Sequence, residues 1–337
     1  MSATHFTHTS LFRSFWVIFF VLALVGCGAT SSSSLTLIDA TSAIPATAPA
    51  AQPTVQIGLV MKTLTNPFFI EMERGARRAE AELGIELIVK TAAQETSIDQ
   101  QIAIVKDLID TRVDAIVIAP GDSTSLIPVL HEARQAGIII VNIDNRLDMA
   151  VAEKLGLVGV PFISVDNEAG AYDSARVISD QFKTRTKVAI MQGIPTAQNA
   201  IDREQGARRA FRENPNITVV ATASGFWKID EGYKVAAQFL TDHPDLGAIF
   251  CANDMMALGA IRFLSEHGYD HVLVAAFDNL QEVQSALQDG SLQATIDQQA
   301  AEQGYLGIQY AYKLLQGETV PAETMIPTLL VTGTRQP

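Results

Sequence analysis

From residue 54 onward, short apolar runs alternate with stretches in which apolar residues recur every three or four positions. The runs lie at 55–61, 86–90, 115–119, 138–143, 188–192, 218–221, 248–251 and 272–277. Their near-continuous Val, Ile, Leu and Ala suit strands covered on both faces, and their alternation with helical patterns predicts parallel β-α-β layers. Asn66-Pro67 opens the first helix, with Asn as N-cap and Pro at the first helical position. Ser97-x-x-Gln100 reads as a capping box ahead of Ile98, Ile102, Val105 and Leu108. Gly84, Gly137 and Gly268 read as C-terminal caps. Gly121-Asp122-Ser123 lacks the Gly-x-Ser-x-Gly frame of a hydrolase nucleophile turn and reads as a helix N-cap. The spacing repeats on either side of about residue 165 with no obvious sequence repeat, which predicts an α/β fold of two similar lobes with a cleft between them.

The pattern changes before residue 54. Residues 1–14 are polar with a single basic residue, Arg13, and 15–25 form an unbroken apolar run of the length of a signal-peptide core, too short to span a bilayer comfortably. Leu24-Val25-Gly26-Cys27 closes it and resembles the lipobox of bacterial lipoproteins. Residues 1–27 are therefore expected to be a leader with Cys27 as the lipidated residue; the competing reading is an uncleaved anchor helix. Residues 28–53 are mostly Ser, Thr, Ala and Pro, with Asp39 the sole charge. Such a segment cannot bury enough surface to offset its ordering entropy, and it reads as a flexible stalk. Either reading of the leader tethers the folded part outside the cytoplasm, at the periplasmic or cell-surface face of the membrane.

A chain of 337 residues with 48% hydrophobic residues can fill one large core or two smaller ones. A net charge of -13 argues against binding a phosphate backbone, so nucleic acid is not expected as a partner. Besides Cys27 the only cysteine is Cys251, in an apolar run, so no disulfide framework exists and Cys251 reads as a small buried hydrophobe. His267 and His271 straddle Gly268 and give no shared metal face. Neither a metal nor a cofactor is expected, and no strand is followed by a phosphate-cradling glycine loop.

Polar residues recur where a strand ends and a loop begins. Lys62 and Asn66 follow the first run, Asp144-Asn145-Arg146 the fourth, Arg203 the fifth, Trp227 the sixth, Asn253-Asp254 the seventh and Asp278-Asn279 the eighth; Gln298 follows Thr295-Ile296. Singly each has a plain explanation: Asn66, Asn253 and Asp278 can be helix caps, Arg203 a surface ion pair, Phe68 and Phe69 packing residues. Together they converge on the carboxyl edge of each sheet, where open parallel sheets bind ligands. The set suits a sugar: planar Asp, Asn, Gln and Arg groups can bind adjacent hydroxyls bidentately, and aromatic rings such as Phe68, Phe69 and Trp227 can stack on C–H faces.

The stretches Asn66-Pro67-Phe68-Phe69, Ile143-Asp144, Asp202 to Gly206, Asn253 to Ala260, Ala276-Phe277-Asp278 and Ala294-Thr295-Ile296 together resemble ribose-binding receptors of the type I periplasmic binding family, the soluble receptors of sugar ABC importers. The resemblance implies two Rossmann-like lobes joined by a three-crossing hinge near Val165, Gln298 and Pro327. Residues 54–165 with 299–326 would form the amino-terminal lobe, and 166–298 with 327–337 the other. It implies sugar contacts from Asn66, Phe68, Phe69, Asp144, Arg203, Trp227, Asn253, Asp278 and Gln298. It also implies a membrane permease as partner and action as a monomer. Lys62 stands where the ribose receptors carry a small hydroxyl residue, and Asn145-Arg146 stands where an Arg directly follows the Asp. Counting these three as pocket residues leaves a larger hexose, a polyol or an acidic sugar open as ligand, and if Lys62 turns away into an ion pair the clue lapses. The rival readings are a receptor that only signals, a repressor core and a glycosidase using Asp144 and Asp278. The repressor is opposed by the leader and stalk standing where a helix-turn-helix would be. The glycosidase is opposed by Arg203, and conditionally by Arg146, which would hold the carboxylates ionised.

Overall fold

The computed structural model describes residues 54–333. The expected leader with Cys27, the stalk 28–53 and residues 334–337 lie outside them. In chain order the elements begin β1 (Gln56–Met61), α1 (Pro67–Leu83), β2 (Glu86–Thr91), α2 (Ile98–Thr111), β3 (Ala115–Ile118), α3 (Ile127–Gln135), β4 (Ile139–Ile143), α4 (Met149–Lys154), β5 (Phe162–Val165) and α5 (Asn167–Ser179). They continue with β6 (Thr186–Gln192), α6 (Gln198–Arg212), β7 (Ile217–Ser224), α7 (Ile229–Asp242), β8 (Leu246–Cys251), α8 (Asp254–Glu266), β9 (Leu273–Ala275), α9 (Gln284–Asp289), β10 (Ala294–Asp297), α10 (Ala300–Leu315), β11 (Glu323–Ile326) and β12 (Leu329–Thr332). None of the described helices is long and apolar enough to cross a membrane.

The strands form two six-stranded sheets, ordered β11-β5-β4-β3-β1-β2 and β12-β10-β9-β8-β6-β7. All pairings are parallel except β10 with β12. In the first sheet both faces are dry: Ile57, Leu59 and Met61 of β1 join Val117, Val141 and Ile143 in one cluster, while Val60 joins Ile116, Ile118 and Ile140 in another. Two-sided cover is why the central strands read as unbroken apolar runs. Helix α1 packs on α10 at close range, because Gly75 and Gly304 each face a backbone carbonyl of the other helix, Ala301 and Met72 respectively. The chain passes between the sheets from β5 to α5, from β10 to α10 and from β11 to β12.

The eight strands expected from apolar runs are all present with shifted ends; β5, β11 and β12 were not among them, and of β10 only Thr295-Ile296 was noticed. All four are only four residues long, and β11 and β12 are largely exposed edge strands, so neither makes a continuous apolar run. The capping box at Ser97 does not form. The Ser97 side chain makes no cap bond, and Gln100 Oε1 accepts from Ala93 N at 2.8 Å instead. Asp122 caps a turn, accepting from the amides of Thr124 and Ser125, whereas the N-cap of α3 is Leu126. Gly84 does close α1 in the left-handed conformation, its amide donating to Glu80 O. His267 stacks on Phe263, with ring centroids 4.3 Å apart.

Candidate functional site

Loops at the carboxyl ends of strands in both sheets bring Lys62, Asn66, Phe68, Phe69, Glu95, Asp144, Asn199, Arg203, Trp227, Asn253, Asp278 and Gln298 around one small space. The first sheet supplies Lys62 after β1, Asn66 as N-cap of α1, Glu95 after β2 and Asp144 after β4; the second supplies the loops after β6, β7, β8, β9 and β10. A larger depression adjoins it, sharing Phe68 and Asp278, and its other walls come from α1, the Asn279–Glu282 loop and the residues from Asp297 to Glu302 that lead into α10.

Three wall residues have positive φ despite carrying side chains: Asp144 (62°), Trp227 (65°) and Asp278 (127°). A non-glycine residue in this region costs on the order of 1–3 kcal/mol and persists only where the surroundings enforce it. At Asp278 the enforcing group is Asp254 at the start of α8. Its carboxylate accepts from Leu280 N at 2.8 Å and from the Thr295 hydroxyl at 2.7 Å, fixing the loop on both sides. Asn253 caps α8 through Met256 N at 2.9 Å.

Arg203 organises the second lobe's wall. Nε donates to Asn167 Oδ1 (2.8 Å), Nη1 to Ala252 O (2.9 Å) and Asp278 Oδ1 (3.3 Å), and Nη2 to Gln298 Oε1 (3.2 Å). The guanidinium lies 3.8 Å from the Phe277 ring centroid. Gln298 Nε2 donates to the same Asp278 Oδ1 at 2.6 Å. Both bonds to Asp278 fall on one oxygen, which leaves Oδ2 available as an acceptor.

In the first lobe, Asn66 Oδ1 accepts from Phe68 N at 3.1 Å while Nδ2 donates to Glu95 Oε1 at 2.9 Å, so Asn66 both caps α1 and lines the space. Lys62 Nζ lies 2.7 Å from Asp144 Oδ2. Burial pushes the Glu95 carboxyl up to about 7, against the pull of Lys62 and the Asn66 bond. Burial likewise raises Asp278, although Arg203 opposes it. Arg203 pulls toward the ionised carboxylate, as expected, and desolvation pushes the other way more strongly. Asn199 Oδ1 and Trp227 Nε1 are buried without a protein partner, one an acceptor and the other a donor on the wall of the same space.

Two expected pocket residues lie elsewhere. Arg146 donates to Glu323 Oε2 at 2.8 Å and lies over the Phe162 ring, half-buried and away from the cavity. Asn145 is fully buried, but its side chain bonds Pro120 O, Ser123 Oγ and Asn199 N. Lys62 does face the space, yet it is in an ion pair. Glu95 and Asn199 were missed. Glu95 lies in the loop between β2 and α2, four residues past the strand. Asn199 lies four residues before Arg203, hence on the same helical face. Cys251 is buried at the end of β8, and among the described residues no His, Cys, Asp and Glu cluster is arranged to hold a metal ion.

Residues 57–319 match the family model for the periplasmic binding protein domain. The chain is 42% identical over 267 residues to the D-ribose/D-allose-binding protein of Pseudomonas aeruginosa, covering 78% of this chain and 83% of that one. It is 32% identical over 276 residues to the ribose import binding protein of Bacillus subtilis, covering 82% and 87%. A crystal structure of an ABC transporter periplasmic solute binding protein from Actinobacillus succinogenes with bound D-allose superposes with a TM-score of 0.78 at 36% identity, covering 83% of this chain and 98% of that one.

Proposed function

The chain belongs to the periplasmic binding protein family, and from that premise we propose that it is the extracytoplasmic substrate-binding component of a carbohydrate ABC importer. It takes one neutral monosaccharide, or a polyol of similar size, between its lobes and presents the closed form to a permease. The observation that carries this reading is the convergence of paired polar groups and three aromatic rings from both sheets on one small space.

The charge balance narrows the ligand class. Both cations of the cavity are already paired, Lys62 with Asp144 and Arg203 with Asp278, so an acidic sugar would find no free cation there among the described residues. This argues against the acidic sugar that Lys62 alone left open. The relatives that bind ribose or allose make D-ribose and D-allose the first candidates. Asn66, Asp144, Asn253, Asp278 and Gln298 bond hydroxyls, Asn199 Oδ1 and Trp227 Nε1 supply one acceptor and one donor, and Phe68, Phe69 and the indole cover C–H faces. The ligand leaves chemically unchanged.

The closing bodies are 54–165 with 299–326 and 166–298 with 327–337, turning about the three connecting segments. Sugar stabilises the closed form by its differential affinity for it. Residues 1–27 are a lipoprotein leader with Cys27 acylated, and 28–53 a stalk. Metabolic labelling with palmitate, lost in Cys27→Ser, tests the anchor. The binding reading is tested by thermal unfolding with D-ribose, D-allose and a panel of other neutral sugars and polyols. A ligand at 100 times its Kd adds about 2.7 kcal/mol, and failure of every compound to raise Tm overturns the proposal.

A further inference from the structure

Helix α6 carries two wall residues of the cavity, Asn199 and Arg203, yet it starts without a cap of its own. Its N-cap position is Ala197, whose side chain offers no acceptor. The first amides of a helix have no intrahelical partner, and Ser, Thr, Asp or Asn normally supplies one. Here the acceptors come from the opposite lobe. Gln198 N donates to Ser123 Oγ at 3.0 Å, and Asn199 N donates to Asn145 Oδ1 at 3.2 Å. Ser123 N donates in turn to Thr196 O at 3.1 Å, just before the helix.

The two acceptors are held in place by their own lobe. Asn145 Nδ2 donates to Pro120 O at 3.1 Å and to Ser123 Oγ at 3.3 Å, while Asn145 O accepts from Asn142 Nδ2 at 2.8 Å. Ser123 O accepts from Asp148 N at 2.7 Å. Ser123, Asn145 and Asn199 are all buried. Ser123 and Asn145 do not line the ligand space.

We propose that Ser123 and Asn145 are positioning residues that cap helix α6 from across the cleft, so that closure of the lobes completes the helix and sets Asn199 and Arg203 against the ligand. Separation of the lobes leaves both amides to water, and the capping free energy therefore belongs to the closed state alone. Affinity depends on the population of that state, so the two side chains tune sugar binding without touching sugar. This rests on the reading that the lobes close on a ligand.

The test combines Kd for D-ribose and D-allose with amide hydrogen exchange at Gln198 and Asn199 in the full-length protein, its Ser123→Ala and Asn145→Ala variants, and Ser123→Thr, which keeps the hydroxyl. From the usual worth of an N-cap, each Ala variant is expected to raise Kd about 2- to 30-fold. It is also expected to speed exchange at its own amide, Gln198 or Asn199, while Ser123→Thr retains both properties. A residue that only supports its own lobe would lower Tm without this pairing of variant and amide. Wild-type Kd and unchanged exchange in both Ala variants overturn the clasp and leave the binding reading standing. If no sugar binds the wild type, the binding reading fails, and the clasp is judged on exchange in sugar-free protein. Faster exchange in the Ala variants supports it there, and equal rates overturn it.

Discussion

Lys62 Nζ lies 2.7 Å from Asp144 Oδ2, and the two side chains are only 2% and 3% exposed. Two charges this far from water are stable only as a pair, because the effective desolvation cost of each is several kcal/mol. Lys62 also lies 5.6 Å from the Phe69 ring centroid, so the ammonium is held between a carboxylate and an aromatic face. On the cavity wall it is a prop for Asp144.

Lys62→Met is expected to destabilise the protein by about 3–5 kcal/mol, since it leaves Asp144 buried without its cation. Adding Asp144→Asn should recover much of that stability and none of the sugar affinity. Urea unfolding of both single variants and the double variant forms the cycle. A Lys62→Met protein as stable as wild type would show that the pair does not interact.

Arg203→Lys keeps the charge and loses the fork. A lysine has three donors on one atom and cannot reach Asn167, Ala252, Asp278 and Gln298 together. Hydrogen bonds to charged groups are worth about 1.5–3 kcal/mol each, so the loss of two loosens the wall that holds Asp278 and Gln298 in place, and sugar binding is expected to weaken by about tenfold or more. Titration calorimetry reads this directly, and a Kd within threefold of wild type would remove Arg203 from the centre of the site.

The α/β lobes were legible because two-sided burial writes itself as unbroken apolar runs such as 115–119 and 248–251. Edge strands β11 and β12 were not, since half their residues face water. In the site, Asn66, Asp144, Arg203, Asn253 and Asp278 were legible as polar breaks at strand ends, and all five line the cavity. Asn145 and Arg146 carry the same signal but not the same role. Three consecutive residues after β4 point in different directions once Asp144 adopts φ 62°, and sequence order cannot say which of them faces the cleft. Glu95 was hidden because it stands four residues beyond β2 in a Thr- and Ala-rich loop and not directly at the strand end.

Gly193, directly after β6, lies against the Trp227 indole so closely that a Cβ would overlap the ring. Gly193→Ala is therefore expected to push the indole out of its place and take its unpartnered Nε1 out of reach of ligand. Sugar affinity falls, while Trp227→Phe, which keeps an aromatic face but removes the donor and part of the ring, loses about 0.5–1.5 kcal/mol for the hydrogen bond and more for the lost stacking area. Tryptophan fluorescence in the presence and absence of sugar reports the displacement. An unchanged emission spectrum and Kd in Gly193→Ala would show that the loop yields instead.

Glu95 gives the binding reaction a defined pH dependence. Burial raises its carboxyl from 4.5 to about 7, with Lys62, the Asn66 bond and Arg203 opposing and Asp144 reinforcing the shift. The folded, closed protein then binds more protons than the unfolded chain between about pH 4.5 and 7, so stability falls as pH rises through this window. The contribution is fully retained below the unfolded value and lost above about 7, a difference on the order of 3 kcal/mol. Asp278 and Asp254, raised by the same burial, act in the same direction. If opening of the cleft returns Glu95 to water, closure takes up a proton and sugar affinity declines from pH 5 to pH 8. Glu95→Gln, which keeps an acceptor for Asn66, is expected to reduce that slope and to raise stability at pH 8 relative to wild type. Kd and Tm measured across the window check both. Affinity that rises with pH, or an undiminished slope in Glu95→Gln, would show that the Glu95 proton does not couple to closure.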